Sequence, residues 1–325
     1  MSSNNIASDK QSMKNISYIW INRLFLILTP IITTPLITNF FGLEIAGVWF
    51  LASIFASQLL LIEIGISTSL VRLLARPEVI DSRTNTVNII ATAFYTLCTM
   101  SVILLIAAPV ISSFFLNSFD VPLEIIEDSK FLIYLIIFSV VVNIPLRIGY
   151  SILTSRHRFD IVQIIDTAGI AIRLLSIVLM FTFFSPTIFL LGCIVFGASV
   201  TISFITFIRA FYFLRLKIKD FYLNNFSYKA WKLLISISSA SFLVTFSGIL
   251  LLQFSSSLVG YFLNFKLVSM LAIPLMMFNS ITPFFQAIPT ISSPIAAGIS
   301  NQEEKNEVYK NFLTFSAYTS SIALL

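Results

Sequence analysis

The sequence predicts an all-α, polytopic membrane protein: a helical bundle with six spans before a basic linker and the start of a second set after it. Three observations carry that prediction. Charge is scarce, apolar stretches long enough to cross a bilayer recur along the chain, and the connections between them alternate in charge. Only 11% of the 325 residues are charged and 57% are hydrophobic, against about 25% charged in a typical soluble domain. The length alone would suggest two soluble domains, but their surfaces would need far more charge. The same hydrophobicity excludes a disordered chain. Cys98 and Cys193 both lie inside apolar runs, so no disulfide scaffold is expected. A single histidine, His157, argues against a histidine metal cluster or a Ser/His/Asp triad.

A bilayer core about 30 Å thick needs about 20 apolar residues at 1.5 Å rise each. Eight stretches meet that length: 16–40, 45–71, 86–116, 131–154, 161–184, 187–212, 231–255 and 264–290. Period-2 alternation is absent and unpaired backbone is too costly in lipid, so each is read as a helix. A ninth starts near Asn311 and reaches Leu325 after 15 residues, about 22 Å of helix, which is short of the core. The expected organisation is a six-helix N-terminal lobe over 1–212, a basic linker over 213–230, and the first helices of an incomplete, truncated second lobe over 231–325. The first stretch holds Pro30 and Pro35 and lacks a cleavage pattern, so it is not a removed signal peptide. The eighth holds Pro274, Pro283 and Pro289, with Pro294 just beyond. Interrupted helices mark moving elements in many transporters, while membrane helices tolerate proline generally; both readings stand at this point.

The connections supply the internal check. Lys10, Lys14 and Arg23 lie at the N-terminus, Arg72, Arg76 and Arg83 after the second stretch, and Arg156 and Arg158 after the fourth. The connection after the sixth holds Arg209, Arg215, Lys217, Lys219, Lys229 and Lys232, and the one after the eighth holds Lys305 and Lys310. That puts 16 of the 20 basic residues at one end of the helices. The longest opposite connection, 117–130, is acidic, with Asp120, Glu124, Glu127 and Asp128. The positive-inside rule then places the N-terminus in the cytoplasm. The net charge of +5 is accounted for by these loops, and no nucleic-acid partner is expected.

Four basic residues fall outside that tally: Lys130, Arg147, Arg173 and Lys266. Lys130 is an interface residue. Arg173 sits 12 residues from the start and 11 from the end of its stretch, so about 16–18 Å from each interface. An arginine there costs about 2.5–3.5 kcal/mol on insertion scales, which demands a partner or a wet cavity. Asp166, seven residues earlier, shares its face two turns away, with Gln163 and Gly169 close to the same stripe. Asp166 either joins helices by pairing with a neighbouring arginine or lines a cavity. Arg147, with Asn143 one turn before it, either snorkels towards Arg156 or faces inward. Arg23 with Asn22 lies inside the first stretch, and Glu63 is the acidic counterpart in the second, near enough to its end to be interfacial.

Arg23, Arg147 and Arg173 thus give three helices a buried or half-buried guanidinium. Like charges gather in lipid where a cavity holds water and an anion, and guanidinium forks match phosphate oxygens. The candidate substrate-binding residues are Arg23, Arg147, Arg173, Asn22, Asn143 and Gln163, with Asp166 and Glu63 as candidates for ion coupling. Glu303 and Glu304 are read as solvated, Arg156-His157-Arg158 as a headgroup anchor, and Trp20, Trp49 and Trp231 as belt residues. The 33 phenylalanines are read as lipid-facing bulk. No phosphate loop, metal-ligand spacing or hydrolase elbow occurs, so neither a catalytic residue nor a cofactor or metal is expected.

Two windows carry a resemblance. Over 39–76, Phe41-Gly42 and Gly47-Val48-Trp49 precede Glu63-Ile64-Gly65 and Arg72. Over 153–180, Arg158 and Arg173 fall in a similar pattern. Both windows resemble the bacterial polysaccharide flippases, the O-antigen and capsule repeat-unit translocases of the multidrug/oligosaccharidyl-lipid/polysaccharide exporter superfamily. Members commonly have Asp where this chain has Glu63, and they have 12 to 14 helices. The resemblance implies two six-helix lobes around a central cavity that alternates between inward- and outward-open states. It implies a polyprenyl-pyrophosphate-linked oligosaccharide as cargo, flipped without chemistry across the bacterial cytoplasmic membrane for surface polysaccharide (O-antigen, lipopolysaccharide) biosynthesis. Membrane lipids and the polysaccharide polymerase machinery are the implied partners, and Arg23, Arg147 and Arg173 the implied pyrophosphate ligands. The alternatives are a drug or cation antiporter of the same superfamily, working through Asp166 and Glu63, and a truncated, non-transporting membrane protein.

Overall fold

Apolar stretches in lipid must satisfy their backbone within themselves. In the computed structural model, which describes residues 3–119, 126–184, 187–263 and 266–275, they do so as helices, and no strand occurs among the described residues. The order is α1 (Ser3–Leu59), α2 (Leu61–Leu74), α3 (Pro77–Ile80), α4 (Arg83–Ser118), α5 (Ile126–Leu146), α6 (Ile148–Ser155), α7 (Phe159–Phe183), α8 (Ile188–Phe213) and α9 (Tyr228–Phe262). A further helix, α10, covers Lys266–Leu275. Five helices among the described residues are long and apolar enough to cross a membrane: Ser17–Leu59, Arg83–Ser118, Ile126–Ser155, Phe159–Phe183 and Ile188–Phe213. The chain is a multi-pass, all-helical membrane protein. The ninth stretch, Glu303, Glu304 and the prolines after Pro274 lie outside the described residues.

Boundaries differ from the expected ones in informative places. The first stretch and the start of the second both fall in α1, two helical segments divided, as expected, between 40 and 45 by a kink at Gly42 with φ 74° and ψ 169°, a backbone region open essentially to glycine alone. Pro30 and Pro35 lie inside α1 without ending it. Each removes a backbone donor, and hydroxyls bond back to nearby carbonyls: Thr29 Oγ1 donates to Phe25 O at 2.7 Å and Thr33 Oγ1 to Thr29 O at 2.9 Å. The second span divides at Leu60, between α1 and α2, and the fourth at Arg147, between α5 and α6, although both residues keep right-handed helical backbone.

Contacts between helices fix two relative directions. Asn22 meets Thr167, and Phe40 and Phe41 meet Phe181, so α1 and α7 run parallel. Leu132 lies beside Gly192 and Asn143 beside Ser199, so α5 and α8 run parallel too. Along α4, Val102, Ile106, Val110 and Phe114 are exposed, while Ser101, Leu104, Ala108, Ser112 and Phe115 are buried. An outer face more apolar than the inner one suits lipid and not water. Two sequence expectations fail here. Trp49 is not a belt residue: it is buried, with its ring 6.0 Å from that of Phe196. Phe50, Phe115 and Phe159 are fully buried core rather than lipid-facing bulk, and the Phe115 ring packs against Phe55 and Phe119.

The linker is folded onto the bundle. Arg83 Nη2 donates to Asp220 Oδ2 at 3.1 Å and to Arg215 O at 3.2 Å, and Asp220 Oδ2 accepts from Lys217 N at 2.9 Å. Tyr95 Oη donates to Phe221 O at 2.6 Å, and the Phe221 ring packs among Phe94, Phe207 and Phe211. From there α9 returns to pack on α2 and α4, where Ser238 Oγ donates to Ser69 Oγ at 3.1 Å.

Candidate functional site

A cavity of about 460 Å³ lies between α1, α7, α8 and the α5–α6 junction. From α1 it receives Asn22 and Arg23; from α5, Asn143; from the junction itself, Arg147; from α6, Tyr150. The face of α7 at Gln163, Asp166, Ile170 and Arg173 follows the three- and four-residue steps of one helical stripe. Ser199, Ser203 and Thr206 form the matching stripe on α8. All six residues proposed for substrate binding, and Asp166, therefore meet at one cavity. Glu63 does not reach its wall.

Glu63 sits behind the cavity and is 2% exposed, so it is buried and not interfacial as one reading of the sequence allowed. Its Oε1 lies 3.2 Å from Arg147 Nε, and its Oε2 accepts from Ser67 Oγ at 2.5 Å. Arg147 accordingly points inward rather than snorkelling to the interface. With Nε held by Glu63, its two Nη atoms remain for the cavity, and its Cζ lies 5.9 Å from the centroid of the Tyr150 ring. Pro145 removes a backbone donor just before Arg147, but the backbone at Arg147 stays helical, its N–H donating to Asn143 O and its O accepting from Ser151 N, both at 3.1 Å.

The neighbours of the other charges are equally specific. Asn22 Nδ2 donates to Thr167 Oγ1 at 3.1 Å, which fixes Arg23 beside the Asp166 turn of α7. Arg23 Nε is buried with no hydrogen-bond partner. Asp166 makes no ion pair among the described residues, contrary to the helix-joining role open to it in the sequence, but lies in the field of Arg147 and Arg23. Arg173 has neither an ion pair nor a nearby carboxylate among the described residues. Asn143 Nδ2 donates to Ser139 O at 2.8 Å and Ser199 Oγ at 3.3 Å, while its Oδ1, like Gln163 Oε1, is buried without a partner. Buried polar atoms without partners are rare in proteins. Three of them, Arg23 Nε, Asn143 Oδ1 and Gln163 Oε1, belong to residues that line this one cavity.

Gly169, expected on the polar stripe, instead meets the Ile202 side chain at the α7–α8 contact. Tyr150, Ser199, Ser203 and Thr206 escaped the sequence reading. The α8 residues recur at steps of four and three, so the signal was present, but hydroxyls are common in membrane helices and bond back to their own backbone; Thr206 Oγ1 does so to Ile202 O at 2.8 Å. No protein-family model, curated protein or solved structure matches this chain.

Proposed function

We propose that the chain belongs to a translocator for anionic, lipid-linked glycans: a flippase carrying polyprenyl-pyrophosphate-linked oligosaccharide repeat units across the bacterial cytoplasmic membrane, making and breaking no bond. The observation that carries this reading is the meeting of Arg23, Arg147 and Arg173, from three separate spans, on one cavity of about 460 Å³. That volume falls in the range of about 300–1,000 Å³ typical of small-molecule sites. Guanidinium groups stay charged and bind phosphate oxygens through forked, charge-assisted hydrogen bonds, which gain strength in a low-dielectric wall. In this reading the N-terminus is cytoplasmic, α9 and α10 begin a second lobe, and the cavity opens alternately to the two sides.

The test is export of the surface polymer from cells carrying Arg173→Ala in the chromosomal gene. Export is abolished at unchanged protein level, and Arg173→Lys restores it only in part. Normal export by the Ala variant overturns the proposal. Asp166, on the cavity without an ion pair, favours one rival, a cation antiporter. That rival requires uptake of cationic dyes into everted vesicles, lost in Asp166→Asn; three arginines on a cavity lined by one carboxylate oppose it.

A further inference from the structure

The helix register divides the cavity into two levels. Gly169 of α7 meets Ile202 of α8. The two helices are antiparallel, so Arg173, four residues on, stands level with Ser199, which Asn143 of α5 also meets. Asp166 lies seven residues back from Arg173, about 10 Å along the axis. At that second level stand Arg23, held there by the Asn22–Thr167 bond, and Arg147, one turn beyond Asn143.

Charge is distributed unequally between them. At the Asp166 level two guanidiniums, Arg23 and Arg147, face two carboxylates, Asp166 and Glu63, one of them in a direct ion pair. At the Arg173 level one guanidinium stands with no counter-charge among the described residues. Ser199 Oγ accepts from Asn143, which leaves its own proton to donate. At the balanced level the cavity wall carries donors, the Arg23 and Arg147 guanidiniums, beside an acceptor, the Asp166 carboxylate. A donor and an acceptor together suit hydroxyl groups, which both give and take hydrogen bonds.

We infer that the cavity reads its cargo at two levels: an anionic phosphate group docks at Arg173 and Ser199, and an uncharged, hydroxyl-rich portion docks about 10 Å away among Arg23, Gln163 and Asp166. This rests on the translocator reading and refines it. The three arginines are not one cage, because Glu63 pairs with Arg147 and Asp166 lies in the field of Arg23, while Arg173 has no counter-charge among the described residues.

The test measures binding of inorganic pyrophosphate to the full chain in nanodiscs by calorimetry at low ionic strength. Arg173→Gln weakens binding at least about tenfold, the worth of a charge-assisted hydrogen bond. Arg23→Gln weakens it by no more than about threefold, a longer-range electrostatic effect. The unaltered protein gives a second readout that needs no variant to fold: pyrophosphate protects Arg173 from phenylglyoxal more strongly than Arg23, as read by peptide mass spectrometry. Equal losses in the two variants, or equal protection, make the arginines a single site and overturn the two-level inference while the translocator reading stands. Absence of saturable pyrophosphate binding to the unaltered protein overturns both.

Discussion

The Glu63–Arg147 pair is asymmetric, and the asymmetry fixes what its two halves cost to remove. Glu63 is 2% exposed, whereas the Arg147 side chain is 41% exposed, towards the cavity. Arg147→Met strands a carboxylate with no water and only the Ser67 hydroxyl for company. Breaking a buried pair from that side costs about 3–4 kcal/mol. Glu63→Gln strands the guanidinium instead, but that group already faces a polar cavity, and the amide still accepts from Ser67. The loss is then one charged hydrogen bond, about 1–2 kcal/mol. The double variant removes both charges and costs about 2–3 kcal/mol, so the coupling energy is about 2–3 kcal/mol. Unfolding in mixed micelles of mild detergent and dodecyl sulfate measures this cycle, with Trp49 fluorescence as the reporter because its ring packs against Phe196 inside the bundle. Equal costs for the two single variants, or a coupling within about 0.5 kcal/mol of zero, would refute the reasoning.

Two further expectations follow from close contacts. A Cβ at Gly149 of α6 would overlap Phe207 Cα and lie 2.7 Å from its N; Gly149→Ala therefore forces α6 and α8 apart and costs about 1–3 kcal/mol, measured by the same titration, and an unchanged midpoint would contradict the α6–α8 packing. On the linker, Asp220 both pairs with Arg83 and accepts from Lys217 N, while Arg83 is 59% exposed; Asp220→Ala opens the segment to limited proteolysis faster than Arg83→Ala, whose own cost stays below about 1 kcal/mol, and the reverse order would place the clamp elsewhere.

The sequence made the spans legible because lipid removes the usual ambiguity. A run of apolar residues long enough to cross has only one economical backbone, and α4, α7 and α8 sit close to the expected stretches. The cavity was legible for the same reason inverted. An arginine at the centre of α7 is expensive enough to demand an explanation, and its seven-residue spacing from Asp166 predicted their common face. What the sequence withheld depended on a second element. Glu63 looked interfacial along its own helix, and only the packing of α2 on α6 shows it buried against Arg147. Trp49 looked like a belt residue for want of knowing that α8 brings Phe196 to it.

The pairing of Glu63 with Arg147 ties the fold to the charges. Leu60 and Arg147 line the same cavity, and Glu63 follows Leu60 by one turn. The backbone stays helical at Arg147, so the placement of its guanidinium falls to a long flexible side chain with large rotamer entropy. The Glu63 bond to Nε restricts that freedom before any ligand arrives. Arg173 has no such tether, although a lone cation in mid-bilayer is the costlier of the two. Folding therefore fixes the neutralised arginine and leaves the unneutralised one facing the void. That difference is what a binding site requires, since a counter-ion supplied by the protein would compete with one supplied by the cargo.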